Sequence, residues 1–286
     1  NNIEILDGAM GSEFIKRGLK LPKHIWSSWV NLEAHEKVYN LHKDYINAGA
    51  DYITANTFRT TPRSYKKTGI SDNESRILAK TSLKTAISIA KKAKSDNVKV
   101  LGSIAPLEDC YIPKFFPGKD IANKEFLEIG DWLYESGIDI FLLETMNSID
   151  ETRICLDAIQ KHNIPKWVSF VLLDNNHILS GEPLEDAIEA IKDYNVDYLL
   201  INCNSVKRTL ETLEIISSRW NRKWGFYPNL GIGNPSPDGD INKISEDKEL
   251  IDLIDDAISL EVSIIGGCCG SSPRHIRLIK EYLKKF

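Results

Sequence analysis

KVYNLHKDYINAGADYITANTF, residues 37–58, carries a helical period as far as residue 48, meets a glycine at position 49, and passes straight into the β-branched and aromatic run 51–55. A helix ends where such a glycine stands, because glycine takes the left-handed conformation that closes a helix C-terminus at little cost. The same handover is written at ESGID, residues 135–139. Outward from these two turns the chain repeats one unit, a short run rich in Ile, Val, Leu or Tyr followed by a longer stretch of helical period. Strands are predicted at 3–6, 51–55, 98–103, 140–144, 167–172, 198–202, 224–227 and 263–266, and helices at 37–48, 74–93, 123–136, 150–162, 184–193, 208–218, 247–260 and 273–284. Eight such pairs joined by short connections predict an α/β fold, a (βα)8 TIM barrel forming one domain over residues 1–286. An open doubly wound sheet usually has fewer strands. The stretch PNLGIGNPSPDGD, residues 228–240, is long for a βα loop and is either functional or mobile.

Composition narrows the classes of partner. With 286 residues, 42% of them hydrophobic, the chain buries a large core. Lys and Arg total 36 against 41 for Asp and Glu, a net charge of -5 without any basic block, which argues against nucleic acid and for small metabolites. No apolar stretch nears the ~20 residues of a membrane span, and the N-terminus lacks the charged-then-apolar pattern of a secretory signal, so a cytoplasmic location is expected. Five cysteines, two of them adjacent, make a poor disulfide framework. The sequon at Asn73 is then incidental.

In a barrel of this kind the active site is built at the carboxyl ends of the strands. Reading those ends gives Asp7-Gly8-Ala9, Asn56-Thr57-Phe58, Ser103, Glu144-Thr145, Asn202-Cys203, Tyr227-Pro228-Asn229 and Gly267-Cys268-Cys269. Polar or metal-binding side chains thus cap apolar strands. Cys203 ends the sixth strand and Cys268-Cys269 the eighth, so three thiols converge at one mouth, while Cys110 and Cys155 fall in a loop and a helix. Three thiolates suit zinc with its fourth position open, and flanking glycines would let the backbone bend so that consecutive side chains face one ion. The residues alone also allow small buried hydrophobes, a packed turn or a strained redox-active vicinal dithiol. Asp7 and Asn229 read equally as turn residues, Glu144 as half of a strand-end ion pair, and Ser103 as a cap.

Seven blocks in order, LDGAMGSE, GADYITANTF, GSIAP, LLET, INC, YPN and IIGGCCG, resemble the zinc-dependent homocysteine S-methyltransferase family, and in particular its short single-domain members. The resemblance implies that Cys203, Cys268 and Cys269 hold Zn2+ and that the thiol of homocysteine takes the open position. It further implies that Asp7 and Glu144 bind the substrate ammonium, that Gly8 and Ala9 offer backbone N–H groups to its carboxylate, and that Ser103 lines the pocket. Asn229 would fill the fourth position when substrate is absent. Zinc deprotonates a thiol that is otherwise mostly protonated at neutral pH, and three protein thiolates with one substrate thiolate leave a net charge of minus two that keeps the sulfur reactive.

The chain ends soon after the last predicted helix, so the folate and cobalamin modules of large members and the C-terminal extension of betaine-dependent ones are expected to be lacking. That resemblance in length points to sulfonium donors, S-methylmethionine or S-adenosylmethionine. Trp26, Trp29, Tyr111, Phe115 and Phe116 are the mouth aromatics that could meet such a cation. Alternatives are betaine or dimethylsulfoniopropionate as donor, selenohomocysteine as acceptor, or a non-catalytic zinc or thiol sensor on the same scaffold.

Overall fold

The structure, a computed structural model, describes residues 3–233, 236 and 239–286. Eight strands form one parallel sheet: β1 (Glu4–Ile5), β2 (Tyr52–Ala55), β3 (Lys99–Ile104), β4 (Ile140–Met146), β5 (Lys166–Phe170), β6 (Tyr198–Ser205), β7 (Lys223–Asn229) and β8 (Ile264–Ile265). Neighbours follow chain order, β1 also pairs with β8, and a parallel bridge from Leu6 to Tyr52 joins β1 to β2. The sheet is therefore closed, as the alternation of strands and helices predicts.

The turns explain why the chain alternates. Helix His35–Ala48 ends on Gly49 at φ 109°, and helix Lys119–Glu135 is followed by Gly137 at φ 77°, both in the left-handed region that favours glycine. An aspartate follows two residues later and pins the next strand to its neighbour. Asp51, Asp139 and Asp197 accept the N–H of Ile5, Val100 and Lys166 at 2.8, 2.8 and 2.9 Å, and each donates its own N–H to the carbonyl of the same residue. Register is thus fixed at the foot of the barrel by side chains as well as by the ladder.

Side chains alternate across each strand, which sorts the core into two. One cluster lies between strands and helices and includes Ile53, Phe141, Val168, Leu199 and Phe226. The other fills the barrel and contains Leu6, Leu101, Leu142, Trp167, Leu200, Tyr227 and Ile264, with Tyr52 and Cys268 against it. At the foot, the Trp167 ring lies 4.8 Å from that of Tyr52 and 4.4 Å from that of Tyr198, and both tyrosine hydroxyls donate to Glu4. That end is plugged, which leaves the carboxyl ends of the strands as the open face.

Strands β4 and β6 run beyond their predicted ends. Each shifts register near its last residues, and in each shift a non-glycine residue stands at φ 57°, Thr145 in β4 and Cys203 in β6. Both bulges lie at the open face, where such irregularities change the direction of the side chains they carry.

His42 is fully buried in helix His35–Ala48 with neither ring nitrogen hydrogen-bonded, and burial lowers its pKa to about 4. Its folded pKa lies below the unfolded value, so its stability contribution is complete above pH ~6.5 and is lost as pH falls towards 4. Between pH 7 and pH 5 the parent chain should lose about 2 kcal/mol more stability than His42→Leu, measured as urea unfolding free energies. Parallel acid limbs for the two proteins would contradict this.

Candidate metal centre and amino-acid pocket

Strand β6 delivers Cys203, and the segment after β8 delivers Cys268 and Cys269. Their three sulfurs lie within 4.8 Å of one another, the only group of three or more metal-ligating side chains among the described residues. Cys203 Sγ is 3.8 Å from Cys269 Sγ. Tetrahedral coordination with zinc–sulfur bonds near ~2.3 Å separates two sulfurs by about 3.8 Å, so the spacing fits one ion.

The glycines before the cysteines serve close approach. A Cβ on Gly266 would stand 2.7 Å from Leu6 Cβ and 3.0 Å from the Asp7 carbonyl oxygen, and one on Gly267 would meet Ser271 at 2.5 Å. The bend itself falls after the cysteines, at Gly270 with φ 78°. The left-handed residue on the other side of the centre is Cys203, where the sequence offers no glycine.

Of the three thiols, Cys203 is the one that ionises most readily. Hydrogen bonds from Cys268 and Cys269, and the Tyr111 hydroxyl beside it, hold the Cys203 thiol well below its usual pKa. Cys268 and Cys269 are pushed up, chiefly by their interaction with Cys203, because a second and a third thiolate would sit against the first. Neither Lys nor Arg is among the main influences on any of the three. A divalent cation would supply the missing positive charge.

Facing this group are two carboxylates, one just beyond β1 and one on β4, and their supports. Asp7, buried just beyond β1, accepts the Thr54 N–H at 2.7 Å and the Thr54 hydroxyl at 3.0 Å. Burial raises its pKa well above the usual carboxylate range and the charge of Glu144 adds to the rise. Glu144, half-buried on β4, accepts the Ser103 hydroxyl and, at 3.4 Å, the Tyr227 hydroxyl. Burial pushes its carboxyl up to about 7 against the lowering effect of Ser103, with Cys203 raising it further. Gly8 is wedged between Ser271 and Tyr45, with no room for a side chain. The Ala9 N–H already donates to Ser271 Oγ at 3.0 Å, so a ligand carboxylate would compete with that hydroxyl for it. Asn229 ends β7, where its Oδ1 accepts the Gly231 N–H at 2.8 Å, the turn reading of this residue.

The mouth aromatics divide. Trp29 and Phe116 pack on the outer core. Trp26 is clasped by two glycines, since a Cβ on Gly11 would stand 2.2 Å and one on Gly239 2.3 Å from its ring atoms. Phe115 is exposed, whereas Tyr111 keeps its ring half exposed and its hydroxyl at Cys203. The loop that carries Tyr111 is tied down by the Leu107 N–H on Glu151 at 2.8 Å and by the Asn147 amide on the Cys110 carbonyl at 3.0 Å. Residues 231 and 244 bridge as antiparallel partners. Of the stretch 231–240, residues 234, 235, 237 and 238 lie outside the described residues.

Tyr227 and Asn202 were read from the sequence as strand-end residues at the mouth but given no binding role, and Ser271 and Thr54 were not singled out at all. Thr54 could have been found by counting two residues on from the inward-facing Tyr52; nothing local marks Ser271.

Fold and site define a (βα)8 barrel with three clustered thiols, able to hold a metal ion, at its mouth. The model of the homocysteine S-methyltransferase family matches residues 4–283, and the chain belongs to that family. It is 25% identical to the homocysteine S-methyltransferase of Escherichia coli K12 over 98% of this chain and 94% of that protein. It is 24% identical to the selenocysteine methyltransferase of Astragalus bisulcatus, over 98% of this chain and 92% of that protein. Among solved structures, the metallated form of the E. coli homocysteine methyltransferase MmuM shares the fold, with a TM-score of 0.85 and 24% identity over 98% of this chain and 96% of that one. No helix among the described residues is long and apolar enough to cross a membrane.

If the three thiols form the centre, the purified chain binds about one divalent ion, and Cys203→Ala, Cys268→Ala or Cys269→Ala lowers occupancy to background by elemental analysis after dialysis against a mild chelator. Full occupancy in any of these variants would remove that cysteine from the ligand set.

Proposed function

We propose that the chain transfers a methyl group from a small sulfonium donor, S-methylmethionine or S-adenosylmethionine, to the sulfur of L-homocysteine, giving methionine, with zinc held by Cys203, Cys268 and Cys269. The observation that carries this reading is the pairing of three clustered thiols with two carboxylates whose main influences include no lysine or arginine of the described residues. Zinc bound there supplies the positive charge that keeps a substrate thiol ionised at neutral pH.

Asp7 and Glu144 bind the substrate ammonium. Burial raises both pKa values, with the charge of Glu144 adding to the rise at Asp7 and that of Cys203 at Glu144, and a bound ammonium provides the counter-charge. Ser103, Tyr227 and Thr54 orient the two carboxylates by occupying lone pairs that the substrate does not use. The Gly8 and Ala9 amides receive the substrate carboxylate, with Ser271 giving way. Asn229 serves as the exchangeable fourth ligand only if its Oδ1 leaves the Gly231 N–H. Sulfur attacks the methyl carbon in line with the departing donor sulfur, which leaves as a neutral thioether, so no side chain is needed as a base. Tyr111, whose ring stands at the mouth with its hydroxyl at the metal centre, is the aromatic best situated for the donor cation, an attraction of roughly 0.5 to 2 kcal/mol.

Two measurements test the reading. Glu144→Gln and Asp7→Asn should each raise KM for homocysteine on the order of 30-fold, the loss of about 2 kcal/mol expected for one charge-assisted hydrogen bond, with metal content unchanged. A panel of S-methylmethionine, S-adenosylmethionine, betaine and dimethylsulfoniopropionate, scored as methionine formed by the zinc-loaded chain, identifies the donor. The panel is repeated with a selenol acceptor, because one relative bears the name selenocysteine methyltransferase. Failure of all four donors would overturn the reading and leave a binding protein.

A further inference from the structure

Cys203 and Glu144 stand on strands that are not neighbours, because β5 lies between β4 and β6. Their separation is bridged by one side chain that the proposed reaction does not use. Asn202, 1% exposed, reaches from β6 across the end of β5: its Oδ1 accepts the Thr145 N–H at 2.9 Å and the Ser169 hydroxyl at 2.7 Å, and its Nδ2 donates to Thr145 Oγ1 at 2.9 Å. A backbone N–H can only donate, so the orientation of the amide is fixed. Asn202 directly precedes Cys203, and Thr145 directly follows Glu144.

The clasp falls where the backbone needs it. Thr145 and Cys203 both stand at φ 57°, a region that costs a β-branched residue more than most, and both lie inside the register shifts of their strands. Within each shift the ladder is interrupted, resuming only at Met146 and at Ser205. The side-chain amide of Asn202 takes over, binding Thr145 through two groups and resting on Ser169, whose small side chain leaves room for it. All three residues are buried.

We propose that Asn202 is a positioning residue that fixes the span from the Glu144 carboxylate to the Cys203 sulfur, and through that span selects the chain length of the amino-acid thiol. The inference rests on the proposed acceptor. An amino acid anchored by its ammonium at one end and its sulfur at the other must match the distance between the two anchors. Homocysteine exceeds cysteine by a single methylene, a difference for which a well-fitted site discriminates by roughly 10- to 200-fold. A span held by three short hydrogen bonds inside the barrel can act as such a ruler, and a span set by flexible loops cannot.

The test is calorimetric titration of the zinc-loaded chain with L-homocysteine and with L-cysteine, together with metal analysis. The parent chain should prefer homocysteine. Asn202→Ala should cut that preference by about tenfold or more. Asn202→Asp keeps the acceptor for the Thr145 N–H and for Ser169, and the Thr145 hydroxyl can turn to donate to it, so most of the preference should return. Should Asn202→Ala not fold, Ser169→Ala removes one of the three bonds and should reduce the preference by about fivefold, the usual worth of one net hydrogen bond. General loosening of the pocket would weaken both thiols by the same factor and leave their ratio alone. An unchanged ratio in folded, metal-loaded Asn202→Ala, or in Ser169→Ala if that variant must decide, overturns the inference. A parent chain that binds neither thiol overturns the proposed acceptor instead.

Discussion

The close approach of β8 to β1 is the contact on which the rest of the molecule depends. Glycines 266 and 267 let the end of β8 lie against Leu6, Asp7 and Ser271 with no space for a single added carbon. The Gly267 N–H donates to the Asp7 carbonyl at 3.0 Å, continuing the ladder beyond both strands. This seam closes the barrel, and it is also where Asp7 comes to face Cys268 and Cys269. Closing the fold and assembling the site are one event, so neither can be altered without the other.

Above the seam the barrel interior changes character over a single period of two. Tyr52, Leu101, Leu142, Trp167 and Leu200 belong to the interior cluster or pack on it. The residues two further along are Thr54, Ser103, Glu144, Ser169 and Asn202. An apolar plug thus supports a polar ring, and nearly every member of the ring is hydrogen-bonded to another or to a neighbouring backbone group. Such a ring is rigid because each strand that supplies it is held from below by close packing, and buried polar groups are costly unless paired.

The order of strands and helices was legible because it is local: apolar runs, helical periods and the exits at Gly49 and Gly137 sit within a few residues of one another. The cysteines and Asp7 and Glu144 were legible as candidates because strand ends in a barrel share one face. The glycines of IIGGCCG were read for flexibility, whereas Gly266 and Gly267 answer to a strand distant in sequence. The true lengths of β4 and β6 were hidden for a related reason. Propensity gives no warning that Thr145 or Cys203 will take a left-handed conformation, since tertiary hydrogen bonds from Asn202 and its neighbours stabilise it. Pattern finds what a segment does alone. It misses what one segment does for another.

Charge explains why these parts belong together. Two carboxylates and three thiols stand at one mouth, and no lysine or arginine ranks among the main influences on Asp7, Glu144, Cys203, Cys268 or Cys269. Paired internally, such groups would make a stable but inert site. On the proposed function, leaving them unpaired lets them select ligands by sign: a metal dication for the thiols, an ammonium for the carboxylates, and a methyl donor that is itself cationic. On the proposed reaction each sign then changes in the useful direction. The acceptor enters as an anionic sulfur and leaves as a neutral thioether, while the donor enters as a cation and leaves neutral. The attractions that gather the reactants are therefore weakened by the transfer itself, and both products are released from a site that keeps its own charge throughout.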